Sequence, residues 1–290
     1  MTRLQANAML LAIAAIWGLA FVFQKTAMDH IGPYTFLAMR ALIAAVILAP
    51  IAYFFENAAL AARPAASFWL IAGAGGLSFF AGGILQQIGL VTATVTNTGF
   101  LTGLYVVITP LLMWLVLARP PAFVIWLAVI LAFVGTWMLG GGGAVGGLSR
   151  GDWFVVASSF FWACHMLVIE QSGGHARPIG FTAVQFAVVA VLAGAGAVVF
   201  EQVSIAALLV AGPEIAYVGV LSSALTFTLL AVAMRYTPAT EATIIVSTET
   251  VFAALAGVIL LGESLLWIGW LGAAMMFAAT VIVQVAPSKR

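Results

Sequence analysis

An all-α integral membrane fold, with ten transmembrane helices arranged as two inverted five-helix repeats, is predicted by three observations on the sequence. The chain is too apolar for water: 64% of its residues are hydrophobic, 7% are charged and its mean hydropathy is +1.20, whereas a soluble domain carries about 25% charged residues. Its apolar sequence divides into ten segments, each close to the roughly 20 residues a helix needs to cross the hydrocarbon core. The second half also reproduces landmarks of the first at a nearly constant offset.

In the first half the spans are 7–27, 33–54, 67–90, 94–117 and 121–139. In the second half they are 153–172, 179–200, 207–234, 238–261 and 265–286. Lipid offers backbone groups no partner, so irregular or open-edged structure cannot face it and the spans must be helices. Span 1 follows Arg3 in the manner of a signal peptide. Its apolar run is long for one, however, and its central tryptophan recurs in the second half, so it is read as a retained span. The connections are short and leave no room for a soluble catalytic domain. With the N-terminus placed in the cytoplasm, the inner segments collect Arg3, Arg63, Arg119, Arg177, Arg235, Lys289 and Arg290, against Lys25 and Arg150 outside. That bias places both termini in the cytoplasm, and the alanine-rich spans and short loops point to a bacterial inner membrane.

The repeat is legible in "IWGLAFVFQKTAMDHIGPYTFLAMR" (16–40) and "FWACHMLVIEQSGGHARPIGFTAVQ" (161–185). At an offset of 145, Trp17 falls on Trp162, Pro33 on Pro178, Phe36 on Phe181 and Arg40 on Gln185. At an offset of 144, "GGLS" (75–78) meets "GVLS" (219–222), and Trp126 and Phe133 meet Trp270 and Phe277. Ordered matches along both halves mark an internal repeat. Five spans per half is an odd number, so the halves insert with opposite orientation, and inverted repeats place a substrate site near the bilayer midplane between them. Residues 1–139 form the first repeat and 153–290 the second, with a glycine-rich linker at 140–152.

Several function classes are excluded. A net charge of +1 gives no electrostatic case for nucleic acid. A single cysteine, Cys164, allows no internal disulfide or multi-cysteine metal site. The glycine-rich stretch lacks the Gly-Lys-Ser/Thr ending of a phosphate loop, and no cofactor motif is present. A membrane-embedded enzyme would need an HExxH or an aspartate-rich pair, and neither occurs. The neighbours Cys164 and His165 point about 100° apart on a helix. A small-molecule substrate and the lipid bilayer are the expected partners.

The stretches "WGLAFVFQKTAMDHIGPYTFLAMR", "GLVTATVTNTGFLTGLYVVITPLL" and "ATIIVSTETVFAALAGVILLGE", in that order, resemble the drug/metabolite transporter superfamily, in particular its ten-helix, twin-repeat exporter branch, the EamA family. The resemblance covers essentially the whole chain. It implies an exporter of amino acids, other metabolites or toxic organic cations, and one group of such proteins exports aromatic amino acids and paraquat-like compounds. The chain departs from the family pattern at Thr250, where proline often follows the glutamate, and at Leu117-Ala118-Arg119, the counterpart of Leu261-Gly262-Glu263.

Polar residues within spans mark the faces turned from lipid. In span 4, Thr98, Thr102, Tyr105 and Thr109 share one helical face with Asn97 beside it, and Pro110 is expected to kink the helix. Threonines can also bond back to their own helix, so Asn97 and Tyr105 carry more of the argument for a wet cavity. Span 9 shows Thr240, Thr243, Ser247 and Thr250; span 3 offers Phe79, Gln86 and Gln87; span 8 offers Ser222, Ser223, Thr226 and Phe227. Trp17, with Phe21 one turn on, and Trp162 lie too deep for interfacial anchors. They are expected to flank the cargo, where an aromatic face binds a ring or a flat cation. Intramembrane charges are costly and each is a candidate. Arg40 and Glu249 are read as structural or coupling charges, with Glu249 projecting away from the span 9 stripe and Arg40 either its counter-charge or a cap for helix ends in the bundle interior. His165 is the candidate for proton coupling. Lys25 and Glu170, equivalent under the repeat, are read as interfacial.

Overall fold

The computed structural model describes residues 1–56, 64–139 and 148–285; residues 140–147 of the expected linker lie outside them. Among the described residues nine helices are long and apolar enough to cross a membrane, and a tenth is shorter at 17 residues. In chain order the first half holds α1 (Arg3–Ala27), α2 (Pro33–Glu56), α3 (Ala66–Leu90), α4 (Val95–Leu117) and the shorter α5 (Phe123–Leu139). The second holds α6 (Arg150–Ser172), α7 (Pro178–Phe200), α8 (Gly212–Ala233), α9 (Ala239–Leu261) and α10 (Trp267–Val285). The chain is an integral membrane protein, and the bundle turns an apolar surface outward, with Leu70, Val198 and Trp267 each at least 75% exposed. Such a surface suits lipid and not water.

Local chemistry sets the helix ends. A capping box starts α6 at Arg150, three residues before the expected 153: the Asp152 N–H donates to Ser149 Oγ (3.2 Å), and the Ser149 N–H donates to Asp152 Oδ2 (2.8 Å). Prolines open α2 and α7, where the missing N–H would have had no helical partner.

The packing follows the repeat. α2 lies against its own mate α7 and α5 against its mate α10, while α1 on α9 is answered by α6 on α4. Arg3 ties the start of α1 to Glu241 (2.7 Å) at the start of α9 and to the Val283 carbonyl (2.7 Å) near the end of α10. The Ala239 N–H at the start of α9 donates to Glu170 near the end of α6 (2.7 Å). So α6 ends on the face where α1 begins, the two halves run in opposite senses, and the two chain ends share one face.

The α2–α7 pair is closed at both ends by carboxylates. Glu201, just past α7, accepts from the N–H groups of Tyr34 and Thr35 (both 2.8 Å) and the Thr35 hydroxyl (2.6 Å). Glu56, at the end of α2, accepts from the N–H groups of Ile179 (2.7 Å) and Gly180 (2.8 Å). Each helix therefore caps the start of the other, satisfying N–H groups that lack helical partners and placing negative charge at the positive end of the dipole. Glu56→Gln or Glu201→Gln is expected to cost about 0.5–2 kcal/mol, in the range of a lost cap. Thermal unfolding in detergent reads this as a lowered midpoint for either variant; an unchanged midpoint for both would show the caps to be idle.

Candidate functional site

The site is organised by two broken helices. α4 runs from Val95 to Thr102, turns at Gly103 and Leu104, and resumes over Tyr105–Leu117. α9 runs from Ala239 to Val246, turns at Ser247 and Thr248, and resumes over Glu249–Leu261. The breaks are equivalent under the repeat. The residues that restart each helix meet, with the Tyr105 hydroxyl donating to Glu249 Oε1 at 3.0 Å across a separation of 144 positions.

This corrects the expectation of one continuous polar face bent at Pro110, which lies buried inside the second half of α4. The break comes earlier because α4 is pressed against its neighbours at Gly103, where a Cβ would meet methyl carbons of Thr250 and Thr136 at 3.0 and 3.1 Å. Leu104 N–H bonds back to the Leu101 carbonyl (3.3 Å), a tightened turn that ends the first half.

A cavity of about 50 Å³ sits beside the Tyr105–Glu249 contact. Trp17, Phe21 and Gln24 line it along one face of α1, with Arg40 from α2, Gln86 from α3, and Thr102 and Tyr105 from either side of the α4 break. Trp162, His165 and Met166 line it from α6, Ser222 and Phe227 from α8, and Glu249 from α9. Residues 217–225 of α8 form wide turns with i→i+5 hydrogen bonding, a departure from α geometry frequent at functional sites.

The cavity has two unlike sides. On one, Trp17 Nε1 donates to Thr226 Oγ1 (2.7 Å) and the Ser222 carbonyl (3.1 Å). Arg40, 5% exposed, donates from Nε to Ser223 Oγ (3.0 Å) and from a terminal nitrogen to Gln24 Oε1 (3.2 Å). On the other, Phe79 lies edge-on to Trp162, His165, Phe186 and Phe227 with ring centres 4.9–5.5 Å apart. The two sides meet where the Arg40 guanidinium approaches the Phe79 ring centre at 5.7 Å. Gln86 Nε2 donates to Thr102 Oγ1 (2.7 Å), and His165 Nε2 pairs with Gln185 Oε1 (2.9 Å).

Among the described residues Arg40 and Glu249 form no ion pair with each other; Arg3–Glu241 and Arg119–Glu170 pair at the helix ends. Arg40 is thus not the counter-charge of Glu249. Its partners are neutral, and both charges border the cavity. Glu249, which restarts α9 after the break at Ser247 and Thr248, borders the cavity while accepting from Tyr105.

Of the residues singled out in the sequence, Trp17, Phe21, Gln86, Thr102, Tyr105, Trp162, His165 and Phe227 line this cavity together with Arg40 and Glu249. Phe79 and Ser223 stand one layer behind, holding Trp162 and Arg40. Asn97, Thr98, Thr243 and Ser247 are outside the lining. Asn97 lies in the first turn of α4, its N–H on the Thr94 hydroxyl (3.1 Å). Thr98 bonds the Thr94 carbonyl (2.8 Å), Thr243 the Ala239 carbonyl, and Ser247 the Ile244 carbonyl (2.8 Å), so these hydroxyls are satisfied within their own helices. Ser222 of the span 8 group lines it too, as do Gln24 and Met166, which the sequence reading passed over. Gln24 could have been found by its spacing of three from Phe21 and seven from Trp17, whereas Met166 is apolar and gave no signal.

A larger space of about 950 Å³ opens on the face that carries the chain ends, between Arg119, Glu170, Arg235, Thr240 and Glu241. On the opposite face, Glu263 just past α9 accepts from the N–H groups of Val95 (3.0 Å) and Thr96 (3.1 Å) and from the Thr96 hydroxyl. Lys25 donates there to the carbonyls of Leu90 (2.8 Å) and Val91 (3.2 Å).

Two interlocked halves of opposite orientation, with broken helices meeting beside a cavity between them, form the architecture of inverted-repeat membrane transporters. The chain belongs to the EamA-like transporter family, whose model matches it twice, at residues 4–141 and 149–285. It is 28% identical over 292 residues to an uncharacterized transporter of Archaeoglobus fulgidus, an alignment covering 97% of this chain and 86% of that one. A protein of known crystal structure, 13% identical, shares the fold with a TM-score of 0.75 over 97% of both chains.

Proposed function

We propose that this membrane transporter exports small organic metabolites, foremost amino acids with aromatic side chains, by alternating access through the cavity between its repeats. The observation that carries this reading is the composition of the cavity: aromatic rings from Trp17, Trp162 and Phe227 share it with one cation, Arg40, and one carboxylate, Glu249, not paired with each other. An amino-acid zwitterion with a flat side chain complements all three. Its ring stacks between the tryptophans, its carboxylate meets Arg40, and its ammonium meets Glu249. A purely cationic cargo would leave Arg40 repelling it, which favours the amino acid over a toxic cation.

The 50 Å³ cavity is too small for such a cargo, while a 950 Å³ space stands open on one face. Loading therefore requires repacking around the α4 and α9 breaks. The bias of the basic residues supports a cytoplasmic open face, of a bacterial inner membrane in this reading. The chain carries no nucleotide-binding motif, so it works as a facilitator or on an ion gradient.

The test is uptake of labelled tryptophan, phenylalanine and alanine into liposomes holding the purified protein. Saturable uptake of the aromatic amino acids, accelerated by unlabelled tryptophan inside, is expected, with Trp17→Ala and Trp162→Ala each weakening it at least tenfold. No aromatic flux, or flux indifferent to both tryptophans, would remove the aromatic cargo from consideration.

A further inference from the structure

The two repeat-equivalent tryptophans are not equivalently bonded. Trp17 Nε1 is committed to α8 through Thr226 Oγ1 and the Ser222 carbonyl. At the offset of 144, the counterparts of Thr226 and Ser222 are Gly82 and Ser78 of α3. Trp162 lies against Gly82 in the matching way, since a Cβ there would stand 3.3 Å from indole carbons Cδ2 and Cε2. Glycine has no hydroxyl to accept the indole proton, and the Ser78 hydroxyl is spent on the carbonyls of Ala74 (2.9 Å) and Gly75 (3.1 Å) of its own helix. Trp162 Nε1 is buried with no protein acceptor. Among the described residues it is the one such atom that belongs to a residue lining the central cavity.

An indole N–H left unpaired inside a membrane protein carries its full desolvation cost, and its repeat mate shows that a threonine at the facing position would satisfy it. We infer that Trp162 Nε1 is the hydrogen-bond donor that reads the carboxylate of the cargo, whereas Trp17 is a fixed wall held by α8. The inference rests on the cargo proposed above. Arg40 and Trp162 both pack on the Phe79 ring, at 5.7 and 5.0 Å from its centre. Guanidinium and indole thus converge on the Phe79 ring, where the two sides of the cavity meet, and in this inference address the same anionic group. Two donors on one carboxylate distinguish an amino acid from its decarboxylated amine.

The experiment compares Trp162→Phe and Trp17→Phe in the liposome assay, with tryptamine as competitor alongside tryptophan. Phenylalanine keeps an aromatic ring and removes the N–H. Trp162→Phe is expected to raise the half-saturating tryptophan concentration about tenfold, as one hydrogen bond to a charged group predicts. Tryptamine, which has no carboxylate, should lose less affinity than tryptophan, so the preference between the two should narrow. Trp17→Phe is expected to lower the unfolding temperature and to spare the preference for tryptophan over tryptamine. Should Trp162→Phe fail to fold, Gly82→Ser supplies an acceptor beside the unaltered indole and is expected to weaken tryptophan binding in the same selective way. A native-like half-saturation in the variant overturns the inference and leaves the aromatic cargo standing. Absence of aromatic flux in the native protein overturns both.

Discussion

Arg40→Met is expected to lower tryptophan uptake at low concentration by a hundredfold or more while the protein stays folded. The guanidinium would hold the cargo carboxylate by charge-assisted hydrogen bonds, each contributing about 1.5–3 kcal/mol, so losing two of them accounts for the size of the effect. Methionine retains an unbranched apolar stem. The protein bonds given up are one to Ser223 Oγ and one to Gln24 Oε1, both to neutral partners, and an intramembrane cation without an ion-pair partner is itself costly. Stability should therefore change little, and the loss should appear in the half-saturating concentration. Arg40→Lys keeps the charge without the planar fork and should fall between the two. Unimpaired tryptophan affinity in Arg40→Met would show that the carboxylate is held elsewhere.

Gly18→Ala is expected to be among the most damaging single methyl groups. α1 crosses the second half of α9 at this residue, one position from Trp17, and a Cβ would lie 2.4 Å from Phe252 Cβ, 2.7 Å from the Glu249 carbonyl oxygen and 2.8 Å from the Ala253 nitrogen. None of these is the free end of a flexible side chain, so α1 must move away from α9. Such overpacking costs about 1–3 kcal/mol. The displaced helix carries Trp17, Phe21 and Gln24, and the residue it strikes is Glu249, so transport should fall with stability. Gly73→Ala is the matched control: nothing lies within 4 Å of a Cβ there, and the higher helix propensity of alanine should leave the unfolding midpoint unchanged or raised. Equal midpoints for the two variants would contradict the close crossing.

The bundle was legible in the sequence because span length and hydropathy are local properties, and Trp17/Trp162 and Pro33/Pro178 carry the repeat openly. The cavity was legible where a side chain cannot satisfy itself. Gln86, Tyr105, Arg40 and Glu249 carry polar groups too large or too charged to pair with their own helix, and each of them borders it. Hydroxyls behave otherwise. Thr98, Thr243 and Ser247 reach the carbonyls three or four residues back, so a threonine stripe is compatible with dry packing. The helix breaks were hidden for a different reason. Ser247 and Thr248 carry no conformational signature, and Gly103, their counterpart, reads equally as a packing residue. Only the alignment of Tyr105 with Glu249, whose side chains touch, could have shown that the two spans interrupt at the same level.

The crossed carboxylates of α2 and α7 bear on how the protein is made. Glu201 completes the beginning of α2, and it is synthesised 168 positions after Pro33. The amino-terminal half thus enters the bilayer with its second helix unfinished and waits for the carboxy-terminal half to supply the missing residue. Glu56 returns the service to α7. Each half on its own lacks a helix cap that the other supplies, so two separately expressed halves should be recovered in higher yield when both are made in the same cell.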